Sequence, residues 1–221
     1  KHEQQHMKKQ IILASAACAM GALSASAQVY SVNAVGYVNK TVPANNQLAL
    51  LANQLDAGAD LGNKIGDVIP ETAVGITVYT YDAAAGFVSN TYSSRGWTDP
   101  DMVVGPGVGI FVLNPTAEEV VITFVGQVPQ GSLSNSLVDG LNLTASQVPQ
   151  AGGLESVLGY PAAEGDVVYS WDVDGQAYES NTFTSRGWSG VEGEPVLEVG
   201  EGIFVSKAGA ADWTRDFSVN D

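Results

Sequence analysis

From about residue 29 onward, apolar residues fall at alternate positions or in short unbroken runs, and nowhere keep the three-to-four spacing of a long helix. This alternation predicts strands over 29–40, 47–54, 76–82, 86–92, 108–113 and 120–127. It predicts a second series over 125–129, 141–147, 166–172, 176–183, 201–206 and 213–219. The run VGIFVL at 108–113 is apolar on both alternate sets, the mark of a strand covered on both faces. DAAAG at 82–86 and DVDG at 172–175 have the Asp-opened, Gly-closed form of hairpin loops. Leu61, Ile65 and Val68, and later Leu154, Val157 and Leu158, have helical spacing, which predicts one short helix per series. The fold class expected is all-β, a small sandwich or open barrel.

The two series are copies of one another. SNTYSSRGW at 89–97 returns as SNTFTSRGW at 180–188, changed only at Tyr92/Phe183 and Ser93/Thr184. LALLANQ at 48–54 matches LNLTASQ at 141–147, VYTYD at 78–82 matches VYSWD at 168–172, and GVGIFV at 107–112 matches GEGIFV at 200–205. The strand ending at Phe124 is aligned with the one ending at Phe217, and offsets stay between 90 and 93. VGQV at 125–128 also resembles VGYV at 35–38, so the last strand of the first copy is expected to run straight into the first strand of the second. With no spacer between them, modules 28–126 and 127–221 should form a compact pair with pseudo-two-fold or translational symmetry.

Residues 1–27 fit a leader. Met7 precedes Lys8 and Lys9, an apolar run follows over 11–25, and Ala25-Ser26-Ala27 is a small-residue cleavage site. Export to the cell surface or beyond is the expected localisation, with Gln28 as the first mature residue. The run is shorter than the roughly 20 apolar residues of a membrane span, and no later stretch approaches that length. The chain carries a net charge of −15; beyond residue 27 six basic residues face 23 acidic ones. Such a surface repels phosphate backbones and anionic lipid, so nucleic acid is not an expected partner.

The recurring pieces of each module (the leucine-rich opening strand, V-Y-x-[YW]-D, Gly96-Trp97 and GxGIFV) carry a family resemblance. The chain resembles secreted tandem β-module proteins of verrucomicrobia and relatives, and more distantly β-sandwich modules on exported proteins of gliding bacteria. Module two departs from the family's pattern where Val199 stands in place of Pro106. The resemblance implies architecture and secretion; no activity is established for the group, so no catalytic residue carries over.

His2, His6 and Cys18 all lie before residue 28, so the mature chain would hold no triad, no thiol nucleophile and no His/Cys zinc site. The glycines at 105, 107 and 109 suit turn geometry better than a phosphate cradle. Carboxylates remain. Asp99 with Asp101, and Glu192 with Glu194, could serve a glycoside hydrolase if each pair were about 5–10 Å apart. Asp172-x-Asp174-Gly175 resembles part of a calcium loop without the later ligands, so calcium is the one candidate cofactor and no metal ligand is assigned. The Arg-Gly-Trp corners are the leading candidates for ligand binding. Trp97 with Tyr92, and Trp188 with Phe183, would form aromatic platforms. Arg95 and Arg186 would each reach the nearby indole along extended backbone; the same contact could equally lock the corner structurally.

The expectation is a secreted, non-enzymatic binding or structural protein of the cell surface or extracellular matrix, with a polysaccharide or surface protein as partner. A carbohydrate-binding module pair assisting polysaccharide degradation is the first alternative. A small carboxylate-dependent glycoside hydrolase is the second.

Overall fold

The computed structural model describes residues 34–190 and 193–220. The leader, the part of the predicted first strand before Ala34, and Glu192 lie outside the described residues. The regular secondary structure of the described chain is nearly all strand, in antiparallel sheets that do not close into a barrel.

Module one opens with β1 (Val35–Val42), which pairs along its length with the module's last strand, β7 (Val120–Gln127). Between them come β2 (Gln47–Ala52), helix α1 (Ile65–Val68), β3 (Thr77–Asp82), β4 (Gly86–Ser93), β5 (Gly96–Trp97) and β6 (Gly109–Asn114). These strands form one sheet in the order β2-β6-β3-β4-β5. Module two repeats the plan. Its outer ribbon is β8 (Gly131–Leu137) with β16 (Ala211–Phe217). Its sheet runs β9 (Gly140–Thr144), β15 (Ile203–Lys207), β11 (Val167–Asp172), β12 (Ala177–Thr184), β13 (Gly187–Ser189). A small extra pair joins β10 (Gly152–Gly153) to β14 (Val196–Leu197). Where module one has the single turn of α1, module two has turns over 154–158, closed by Val157 and Leu158 N–H groups on the Gly153 carbonyl.

Two alignments differ from those read off the sequence. The V-G-x-V echo does not open module two: Gly36 lies directly opposite Gly126 inside the β1–β7 ribbon, and module two opens at β8 instead. Gly126 is held there by close packing, because a Cβ would lie 2.5 Å from the Asp56 carbonyl oxygen. The closing strands are also offset by two residues from the expected match. Val120 and Ala211 pair with Val42 and Leu137, the last residues of β1 and β8, so Ile122 corresponds to Trp213 and Phe124 to Arg215. A slip of two leaves the inward face inward, which is why the sequence tolerates it.

Each sheet is covered on both faces. Ile110 and Val112 of β6 point toward the β1–β7 ribbon and join Val78, Ile122, Phe124, Ile65 and Trp97 in the first core. In module two, Ile203 and Val205 meet Leu137, Val168, Leu158 and Trp213. The opposite faces pack on each other, where Leu50 and Phe111 of one module meet Leu143 and Phe204 of the other. The layers therefore run ribbon, sheet, sheet, ribbon.

The contacts between modules are reciprocal. Ala52 donates to the Gly200 carbonyl and Ala145 to the Gly107 carbonyl; Leu51 bridges Glu201 and Thr144 bridges Val108. Each contact becomes the other when the modules are exchanged, which is the signature of an isologous interface, so the symmetry is pseudo-two-fold rather than translational. Gly109 and Gly202 make the approach possible. A Cβ on Gly109 would sit 2.8 Å from the Thr144 oxygen, and one on Gly202 would sit 2.7 Å from the Leu51 oxygen. The ribbons break the symmetry on their solvent faces: β1–β7 exposes Val35, Tyr37, Val121 and Val125, whereas β8–β16 pairs Ser132 with Asp216 and Ser136 with Asp212.

Candidate functional site

The Arg-Gly-Trp corners are tight hairpins. Ser93 pairs with Gly96 and Thr184 with Gly187, and each glycine has a positive φ, +96° and +95°. The backbone is therefore not extended between Arg and Trp, so the two side chains do not share a face as extended i and i+2 residues would. Arg95 and Arg186 stand exposed at the turn tips, their N–H groups on the Ser93 and Thr184 hydroxyls. Among the described residues, cations lie over rings at Lys207–Tyr160 and Arg215–Phe217, not at the corners.

The two tryptophans turn inward to different degrees. Trp97 is 8% exposed, packs edge-on to Tyr92 at 5.2 Å and donates Nε1–H to the Ile69 carbonyl at 2.7 Å. Trp188 is half-buried, packs edge-on to Phe183 at 5.0 Å and donates to Glu155 Oε2 at 3.1 Å. Trp97→Phe keeps an aromatic ring and orphans the Ile69 carbonyl, which should cost about 1–3 kcal/mol. Arg95→Ala should stay within about 0.5 kcal/mol of the parent. Urea unfolding of both variants checks the contrast.

The candidate acids are engaged locally. Asp101 forms an exposed ion pair with Lys64 at 2.7 Å, and Asp99 accepts the Asp101 N–H. Asp172 Oδ1 accepts the Asp174 N–H in an Asx turn, as Asp82 Oδ1 accepts those of Ala84 and Ala85. No group of three or more His, Cys, Asp or Glu among the described residues is placed to share an ion. Glu194 Oε1 accepts the N–H groups of Glu155 and Ser156 at 2.5 and 2.6 Å. Burial raises the Glu194 carboxyl, but these hydrogen bonds outweigh it and hold the group below its usual range. Burial pushes Glu201 the other way, above its usual range. Both border a 260 Å³ hollow in module two that also meets Asp172 and Glu179.

Larger hollows lie between the sheets, away from the corners. Tyr79 and Tyr81 alternate along β3 on the face of Phe111, and Tyr169 and Trp171 alternate along β11 on the face of Phe204. Each β-hairpin reaches across the symmetry axis. Tyr81 and Phe87 pack edge-on to Phe204 at 5.6 and 5.8 Å, while Trp171 and Tyr178 pack edge-on to Phe111 at 5.2 and 6.1 Å. These are favoured quadrupole geometries, and the two triads exchange under the pseudo-two-fold. A 400 Å³ cavity rests on Leu48, Tyr79, Phe111 and Leu113, roofed by Trp171 and Tyr178. A 330 Å³ cavity rests on Leu141, Tyr169, Phe204 and Ser206. Phe87 and Tyr178 border both, as a ridge 56% and 48% exposed. Partial burial raises the Tyr178 phenol above its usual range.

The signal for this groove was present in V-Y-x-[YW]-D, whose two aromatic residues share a face by period two. Against known proteins, the chain matches no family model, no curated protein and no solved structure.

Proposed function

We propose that the protein is an exported, non-enzymatic binding protein of the cell surface or extracellular matrix, and that the groove between its modules is the binding site. One observation carries this reading: Phe87 and Tyr178 stand about half exposed over two cavities of ligand size, at a junction whose other large apolar side chains are buried or half-buried. Export rests on the leader pattern over 1–27. No helix among the described residues is long and apolar enough to cross a membrane. The burial of Trp97 favours architecture over a sugar platform at that corner, which moves the binding reading to the groove.

The test is equilibrium binding of neutral oligosaccharides and small aromatic compounds to the full chain and to a Phe87→Ser, Tyr178→Ser variant. A ligand held by the parent and lost by a variant of unchanged melting temperature supports the groove. Binding indifferent to both rings would move the site elsewhere.

The acidic hollow supports a second reading, a carboxylate hydrolase, because Glu194 and Glu201 are shifted in opposite directions as an acid–base pair requires. It ranks below binding because each carboxylate already caps backbone, Glu194 at Glu155 and Ser156 and Glu201 at the Glu198 N–H. Release of reducing sugar from a neutral polysaccharide, abolished by Glu201→Gln, would reverse that order.

A further inference from the structure

Building on the groove as the binding site, we infer that it holds two uncharged aromatic molecules per chain, one on each side of the Phe87/Tyr178 ridge, and that the station over Leu113 is the tighter. The number follows from symmetry. The two cavities rest on corresponding residues, Leu48 and Leu141, Tyr79 and Tyr169, Phe111 and Phe204. A directional polymer crossing both would meet equivalent walls in opposite senses, so a pseudo-two-fold groove suits two discrete occupants better than one threaded chain.

The chemical class follows from the lining. Among the described residues no carboxylate, ammonium or guanidinium borders either cavity, while the chain as a whole carries −15. An anion would approach through a repulsive field and find no cation at the end. A cation would give up water without meeting a carboxylate. A sugar could lay one face on these rings, but its hydroxyls would find few partners over Leu48, Phe111 and Leu113. A flat hydrocarbon ring loses nothing there and gains edge-to-face contacts with Phe111, Trp171 and Tyr178.

The difference between stations lies at one pair of corresponding positions: Leu113 in the first cavity is Ser206 in the second. The roofs differ as well. Trp171 is pinned over the first station by its Nε1–H bond to the Leu48 carbonyl at 3.1 Å, and Gln176 takes both backbone groups of Leu48. The corresponding residue in module one, Tyr81, does not border the second cavity.

The experiment titrates the full chain with the uncharged fluorophore Nile red and, in parallel, with a neutral cello-oligosaccharide, while melting is followed for every variant. The parent should show two unequal Nile red sites. Leu113→Ser should weaken the tighter site about tenfold, the loss expected from withdrawing roughly half of a leucine's apolar contact, and leave the other site in place. Ser206→Leu should tighten the weaker site by about the same factor, and it keeps the inference testable if Leu113→Ser folds poorly. A single site, or two sites unmoved by both substitutions, overturns the inference. Oligosaccharide binding lost in the Phe87→Ser, Tyr178→Ser variant, with no Nile red bound, overturns it while leaving the groove as the binding site. If the ridge variant binds both ligands as the parent does, the groove reading falls with it.

Discussion

Truncating Phe111 or Phe204 to Ala should destabilise the folded chain by about 3–5 kcal/mol, the range for a buried phenylalanine whose cavity relaxes only partly. Both rings are almost wholly buried and lie 5.9 Å apart across the module interface. Each also receives the aromatic arm of the other module, so one truncation removes contacts from both halves at once. Because the rings touch, the double variant should lose less than the two single losses added together: the second truncation enlarges a cavity already open. Guanidinium unfolding followed by tryptophan fluorescence measures all three. The loss should appear in one transition, since the reciprocal hydrogen bonds at Ala52 and Ala145 tie the modules together. A cost below about 1 kcal/mol at both positions would contradict the doubly covered strands described above.

Alternation was enough to place most of the sheet strands. Every predicted run except 125–129 overlaps an observed strand in the expected module, because period two survives in any strand with one face buried. The same property hid the two-residue slip between Phe124 and Arg215, since a shift of two preserves the inward face. What alternation cannot supply is the identity of the covering layer. Phe111 reads as buried whether its neighbour is a helix, its own ribbon or the other module, and only the reciprocal contacts reveal a two-fold. The groove was hidden for that reason: Tyr81 and Trp171 meet the other module's phenylalanine only because each hairpin reaches past its own sheet. The corners misled for a local reason. Positive φ at Gly96 and Gly187 turns the chain, and an Arg two places before a Trp then faces away from it.

Charge carried the least structural information of all, and the largest polar effect in the molecule follows from a pair that composition gives no reason to single out. Replacing Lys207 by Met should cost about 3–5 kcal/mol, because it leaves a buried carboxylate without its cation. The side chains of Lys207 and Asp166 are both 0% exposed, with Nζ 2.5 Å from Oδ2. Asp166 also accepts the Ala208 and Ala163 N–H groups at 2.9 Å and the Tyr160 hydroxyl at 3.0 Å, while Lys207 donates to the Pro161 carbonyl at 2.8 Å. Burial raises the Asp166 carboxyl, but the Ala208 N–H, Lys207 and the Ala163 N–H outweigh it and hold the group below its usual range. A carboxyl lowered by folding stabilises the protein above its unfolded value, about 3.9, and that contribution is lost as pH falls through the folded value. Lys207→Met removes the cation that lowers it. The stability gap between parent and variant should therefore be full near neutrality and close as pH drops below about 4. In module one, Ile76 and Asn114 occupy the corresponding places, both fully buried and without an ion pair. An Asp166→Ile, Lys207→Met double variant, apolar like Ile76, should accordingly recover the part of the loss due to the unpaired charge, but not the part due to the Tyr160 hydroxyl and the Ala163 and Ala208 N–H groups, which lose their acceptor. Unfolding free energies at stepped pH measure both effects, and a single variant whose deficit stays constant down to low pH would show that Asp166 is not the group responsible.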